Sequence, residues 1–389
     1  MSGLKNKLMI IIFIAFLAIF SAGSIINSSK DFSENENRYL QELPDFSGES
    51  LLDGTFAQDA ESYVSDRLTG RETLIGLKNS ILKFLGAKDA GGVYFCDDNY
   101  YIEKKTDADV DTDIYIKNLK ALSLFYSDLS EKGFSKERLS FMAVPTAATV
   151  LSEKLPANSS CFDEKRVIID AKTLLGEYNV IDVTRSVEEI SYPYYKTDHH
   201  WTTDSAFAAY SVWCEATGRK GLSPDAFDVR IVSDSFRGTL YSKVLCSDAA
   251  RDTVKIYVPD ELGEYTVTCD GEAKNFDYGF WDKAFESQKD TYAGFYGGNY
   301  GVVHIAKSSG EQELSVEKRE KILVIKDSFA NCFVPFLYEH FDDVYMVDLR
   351  YFNESLSEFV EENGINEVLS LFNVSTFVEE KSIRKAGII

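Results

Sequence analysis

"KILVIKDSFANCFVPFLYEHFDDVYMVDLR", residues 321–350, is the stretch from which the fold is read. A short run of Ile, Leu and Val stops at Asp327-Ser328, a segment of helical length follows, and a second short apolar run leads to Arg350. This is strand, sharp turn, helix, strand, and it continues downstream as "ESLSEFVEENG" (helix) and "NEVLSLFNV" (strand). The same rhythm appears upstream. "IYIKNLKALSLFYSDLSEKG" is helical, "RLSFMAVP" a strand, "EKRVIIDAKTLLGEY" helical, "NVIDVT" a strand and "TTDSAFAAYSVWCEATG" helical, with Thr202 or Thr203 as N-cap and Gly218 as the stop. Short strands rich in Val, Ile and Leu, alternating with helices, predict an α/β fold in three layers, its parallel sheet covered on both faces. Ligands of such sheets bind outside the C-terminal ends of the strands.

This series occupies residues 115–389, and residues 220–315 interrupt it. Alternation in "DTVKIYVPDELGEYTVTCDGEAKNFDYGFWD" and the Gly/Tyr-rich "YAGFYGGNYG" suggest an inserted β-rich segment or lid. Residues 30–114 form an N-terminal segment: a polar stretch, one or two helices within 56–86, and a hairpin, "GGVYFCDDNYYIEK", turning at Asp97-Asp98-Asn99. Residues 1–29 hold Lys5 and Lys7 and then an uncharged run, Leu8 to Ile26. That run is long enough to span a bilayer, and lysines ahead of it stay in the cytoplasm, so the remainder is expected outside the cytoplasm. The segment is an anchor or, with Ala22-Gly23-Ser24 as a cleavage site, a signal sequence.

The formal net charge of −22 argues against a nucleic-acid partner, which would select basic patches, and suits an exterior in water. Six scattered cysteines contain no CxxC pair, so a metal knuckle is not expected and disulfides cannot be paired from spacing.

Two of the four histidines stand together in "YYKTDHHWTTDSAF", residues 194–207, between a strand and a helix. Three readings compete. One has Asp198, His199 and His200 ligating zinc, but adjacent side chains diverge and ligand histidines usually stand three to five apart. The histidines could be structural, one buried and one exposed. Or Asp198 and His200, which flank one residue and so can face the same side, form an acid–imidazole pair that fixes a tautomer and stabilises an imidazolium. That pair needs a nucleophile. Ser328 stands at a strand-to-helix turn, its N–H at a helix start where negative charge is stabilised; the alternative is that it only caps that helix.

"TDHHWT" with "KDSF" downstream resembles the DHHW proteins of bacteria, relatives of the SGNH-hydrolase-like (alginate-type) polysaccharide O-acetyltransferases. "ENENRYLQELP", "FAQDAESYVSDRLTGRETLI", the hairpin and "FMAVPTAATV" resemble further family segments, so the likeness covers most of the chain. It implies an SGNH-like, flavodoxin-like sheet in circularly permuted order, the Asp-x-His preceding the serine. It also implies Ser328 as nucleophile, His200 as general base, Asp198 as its orienter, and His199 in a variable position. Trp201 is expected to pack beneath the motif. Lys326 stands where the hydrolase block has glycine, and the oxyanion Gly and Asn have no clean match. Asn373 is the first candidate and Asn299 the second. Arg350 matches a site arginine or pairs with Asp348, and Tyr241 is a candidate wall of a sugar groove.

The expectation is acetyl transfer to a cell-surface or exported polysaccharide through an acetyl-enzyme, or esterase action if water is the acceptor. No cofactor is required. The resemblance implies a multispanning membrane acyltransferase as acetyl supplier. The alternative is a catalytically inactive glycan-binding or scaffold protein of the cell envelope, and a metallohydrolase is third.

Overall fold

The computed structural model describes residues 2–27, 31–33, 38–308 and 320–388. Parts of the expected anchor, the polar stretch and the end of the insertion (309–315) lie outside the described residues. Contacts divide the chain into two compact units, one of residues 1–91 with 241–249, the other of 92–240 with 250–389.

The larger unit is built on an eight-stranded sheet. Its strands in chain order are β1 (Leu139–Val144), β2 (Asn179–Ile181), β3 (Tyr265–Cys269), β4 (Glu272–Lys274), β5 (Val302–Lys307), β6 (Lys321–Lys326), β7 (Asp343–Val347) and β8 (Glu367–Asn373). They lie side by side as β4-β3-β5-β7-β6-β8-β1-β2. The five from β7 to β2 are parallel. Counted from β6, these five have the order 2-1-3-4-5 of flavodoxin-like sheets.

The alternation of side chains explains the three layers. Ile322 and Val324 of β6 face one core with Trp213 and Phe336, while Leu323 and Ile325 face the other with Phe125 and Tyr126. Both sets are apolar because helices cover both faces. Helix α1 (Thr112–Glu131) buries Tyr115, Leu119, Leu122, Tyr126 and Leu129 at three- and four-residue spacing, and Asp111 caps it through the Asp113 N–H (3.0 Å). Helix α2 (Thr203–Ala216) covers the opposite face, with Thr202 as its N-cap and Gly218 beyond its end at φ +68°.

One expectation is corrected. The helix expected after Ser328 is broken into a 3-10 turn (Ser328–Cys332), a four-residue α-helix (Val334–Leu337) and a second 3-10 turn, because Pro335 supplies no N–H. The insertion is β-rich: β3, β4 and β5 extend the main sheet antiparallel beyond β7, and Phe227–Phe236 pairs with Asp252–Pro259 in a two-stranded sheet of its own. The hairpin of residues 93–103 belongs with the sheet, since Tyr100 and Ile102 enter its core and the Tyr101 N–H donates to Lys196 O (2.7 Å). Asp98 and Asn99 turn it with positive φ.

In the smaller unit, Thr55–Asp66 and Arg71–Phe84 are helices. Gly76 lets the backbone at Leu245 approach, where a Cβ would meet Leu245 O at 2.3 Å, and Asn79 donates to Val244 O (2.9 Å). Ser2–Asn27 is helical. No helix among the described residues is long and apolar enough to cross a membrane.

If both faces sustain one sheet, Phe336→Ala and Phe125→Ala, each emptying a fully buried site, should each cost about 3–5 kcal/mol. Urea titration of the two variants checks this, with equal slopes showing that the unit still unfolds as one.

Candidate active site

The loop that carries Asp198 and His200 is built from backbone groups that need acceptors. Asp252, on the insertion's hairpin, provides them: it accepts from Lys196 N (2.7 Å), Thr197 N (2.9 Å), Thr197 Oγ1 (2.5 Å) and the Tyr192 hydroxyl. Burial pushes its carboxyl up, against these bonds, which favour the ionised form. A bridge between Tyr194 and Trp201 closes the loop.

Within it, Asp198 Oδ1 accepts from His200 N (2.9 Å) and lies 2.6 Å from His200 Nδ1. Its Oδ2 accepts from Thr239 N (2.7 Å) and Thr239 Oγ1 (3.0 Å). Gly238 makes this approach possible, since a Cβ there would sit 2.1 Å from Oδ2. Burial works to raise the Asp198 carboxyl, but the charges of His199 and His200 and the bonds from His200 and Thr239 outweigh it and hold it well below the ordinary carboxylate range.

On the other side of the site, β6 runs into Asp327-Ser328. Asp327, not Ser328, caps the turn: its Oδ1 accepts from Phe329 N (2.9 Å), and its Oδ2 accepts from Asn373 N (2.8 Å) at the end of β8. That leaves the half-buried Ser328 hydroxyl to His200, with Nε2 and Oγ 2.7 Å apart. Asp198, His200 and Ser328 therefore form one hydrogen-bonded line across 128 residues of chain. The Ser328 N–H opens the turn ahead of its first bond, Ala330 N to Asp327 O (3.3 Å). Lys326 is buried and donates to Asn331 Oδ1 (2.9 Å), tying the strand end to the turn. Burial lowers its pKa, with Asp348 acting against the shift.

Several residues fit this frame without having been singled out in the sequence. Tyr292 stacks on the His200 ring (3.8 Å, 14°) and donates to Ser328 O (3.1 Å); burial keeps its hydroxyl protonated. It lies in the Gly/Tyr-rich run, where nothing marked one tyrosine among so many. Gly238 and Thr239 precede Tyr241 in "FRGTLYSK". Trp201, by contrast, was expected beneath the motif and is fully buried there, donating to Phe329 O (3.0 Å) with its ring parallel to Phe333.

The remaining candidates are not brought to the triad in the expected way. Asn373 is buried, its amide nitrogen donating to Val144 O (3.2 Å) and Pro145 O (3.4 Å) and its oxygen accepting from Ser375 N (2.9 Å). Its amide caps a helix and joins two strand ends, so it has no hydrogen left for an oxyanion. Arg350 forms a two-pronged pair with Asp348 (2.9 and 2.6 Å), the alternative weighed for it. Asn299 is exposed, and Tyr241 belongs to the smaller unit. Among the described residues, Asp198, His199 and His200 are the group whose donor atoms, within 4.8 Å of one another, could suit a metal ion. The Nδ1 atoms of both imidazoles already bond Thr239 Oγ1 and Asp198.

The family model described as "DHHW protein" matches residues 135–347, more than half of the chain. The chain belongs to the DHHW family. A DHHW family protein of Eubacterium siraeum is 22% identical over 76% of this chain and 95% of its own, with a TM-score of 0.59. Bacillus cereus PatB1, solved with a sulfonyl adduct, is 21% identical over 75% of this chain and 97% of its own, with a TM-score of 0.62. What they share with this chain is the α/β fold described above. No curated protein matches the chain.

Gly238→Ala drives a methyl group into Asp198, and a displacement near 1 Å at such a site costs about 100-fold in turnover. The variant should keep its circular dichroism spectrum and lose activity to that extent in an ester assay. A second expectation concerns pH. Because the folded-state pKa of Asp198 is depressed, its contribution to stability is full above the unfolded value near 3.9 and is lost as pH falls toward the folded value. The Tm gap between wild type and Asp198→Asn should thus be present above about pH 4 and shrink as pH falls below it.

Proposed function

We propose that this DHHW protein is an O-acetyltransferase, or an acetylesterase, that acts outside the cytoplasm on a cell-surface or exported polysaccharide. One observation carries the chemistry: the unbroken line from Asp198 through His200 to the half-exposed hydroxyl of Ser328. Ser328 Oγ attacks the acetyl carbonyl carbon as its proton passes to His200 Nε2, which then hands that proton to the leaving alcohol. Asp198 holds the Nδ1 proton in place and balances the imidazolium. The oxyanion faces the Ser328 N–H at the start of the turn. In the second half, His200 takes a proton from a sugar hydroxyl, whose oxygen attacks the acetyl-serine; the bond to Ser328 Oγ breaks as His200 returns the proton to it, and water in the sugar's role makes the same site an esterase.

The fold shared with PatB1 supports a reactive serine here, since sulfonyl reagents modify activated hydroxyl groups. The resemblance of "TDHHWT" and "KDSF" to the DHHW proteins, relatives of the polysaccharide O-acetyltransferases, supports the glycan acceptor. The uncharged run Leu8 to Ile26 supports tethering at the membrane, where a multispanning acyltransferase would supply the acetyl group.

Incubation with p-nitrophenyl acetate, followed by absorbance and intact mass, tests this. Wild type should release nitrophenol and gain one acetyl group, and Ser328→Ala should do neither. Asp198→Asn should lose about 10⁴-fold. Equal rates in wild type and Ser328→Ala, with no adduct in either, would sink the proposal.

A further inference from the structure

The helix Arg71–Phe84 of the smaller unit turns the wrong face inward for a surface in water. Its buried positions are Gly76 and Asn79, which pack on the backbone at Leu245 and Val244. Leu74, Leu77, Ile81 and Phe84, with Leu85 just past the end, are 45–89% exposed and recur at the three- and four-residue spacing of one helix face. Lys78 is exposed along the same stripe. Leu43, Phe46, Leu52 and Val64 of this unit are exposed as well. Apolar surface gathered in this way marks a face that something covers.

Three observations say what covers it. First, the helix starts beside the far end of the uncharged run. Thr69 N donates to Ser24 Oγ (3.4 Å), and Ser24 stands in the last turn of the helix Ser2–Asn27. With Leu8 to Ile26 in a bilayer, that contact sets Gly70 and Arg71 at its outer surface. Second, residues 71–88 carry four basic side chains, Arg71, Lys78, Lys83 and Lys88, and one acid, Glu72, in a chain whose net charge is −22. Arg71 and Lys83 have Asp66 and Asp248 beside them; Lys78 and Lys88 are exposed. Basic residues beside a Leu/Phe face are the pattern of a helix that lies in an anionic lipid surface. Third, the chain has little of its own to offer as cover: residues 28–30, 34–37 and 309–319 hold only Leu314 and Val316 as large apolar side chains.

We infer that Arg71–Phe84 lies in the plane of the membrane that tethers the protein, its apolar face about 5–10 Å into the boundary between headgroups and acyl chains of an anionic bilayer. The inference rests on the tether proposed for Leu8 to Ile26 and is independent of the acyl-transfer chemistry. Tether and helix together hold the smaller unit at two points, which fixes its tilt on the surface as well as its distance from it.

The test places a fluorescent probe on the face. Phe84→Trp, with Leu77→Trp as a second probe, is made in the full chain and reconstituted into vesicles of phosphatidylcholine and phosphatidylglycerol. Both positions are exposed, so neither change disturbs a packed site, and the native Trp201, Trp213 and Trp281 are fully buried and are subtracted with wild type. Emission of both probes should move to the blue. Lipid brominated high on the acyl chain should quench them more than lipid brominated at the chain end, as the shallow depth requires. Adding Leu77→Glu and Ile81→Glu to the Phe84→Trp chain should abolish the quenching while the chain still floats with the vesicles. Quenching that survives the glutamates shows proximity without docking and would overturn the inference. So would a blue shift that brominated lipid leaves untouched, which puts a second copy or another protein on the face. Water-like emission from a chain that floats removes the docking and leaves the tether standing; a chain that does not float removes both.

Discussion

Four hydrogen bonds converge on the buried carboxylate of Asp252, from Lys196 N, Thr197 N, Thr197 Oγ1 and Tyr192. The rest of the site depends on that convergence. A loop between strand and helix carries backbone donors that a sheet would otherwise satisfy, and burying them without acceptors costs about 1–3 kcal/mol each. Asp252 satisfies them from outside the loop and sets its path, so Asp198 and His200 arrive at the sheet's edge in one orientation. The insertion that supplies Asp252 also supplies Gly238, Thr239 and Tyr292. The interruption of the α/β rhythm is thus what completes the site.

Three buried aspartates show how environment assigns roles to one residue type. Burial raises Asp252 and Asp327, whose bonds are to neutral backbone and hydroxyl donors. Asp198 is equally buried, yet two imidazoles bring it well below the ordinary range. Asp252 and Asp327 hold backbone; Asp198 is the carboxylate kept charged beside groups that exchange protons. Asp327 has a second effect: by capping the turn itself, it frees the Ser328 hydroxyl for His200.

Much of this was legible in the chain because local pattern dictated it. The apolar runs of β1, β6, β7 and β8 required two covered faces, and Asp-x-His and Asp-Ser at strand ends were already paired with a sheet edge. Other parts were not legible because they depend on partners distant in sequence. Nothing local distinguishes Tyr292 from the other tyrosines, or shows that the Asn373 amide is used up between Val144, Pro145 and Ser375. Pro335 was a local signal, and it broke a helix that the apolar pattern had suggested.

The sequence by itself determined the alternation of elements, the two strand-end motifs and the acidic exterior, since periodicity and charge are properties of neighbouring residues. Only the tertiary structure decided that the two motifs meet within hydrogen-bonding distance, that the Asn373 amide is spent on neighbouring backbone and that Arg350 pairs with Asp348. Those outcomes depend on how hydrogen-bond donors and acceptors pair across more than a hundred residues, and such pairing is settled by burial rather than by order along the chain.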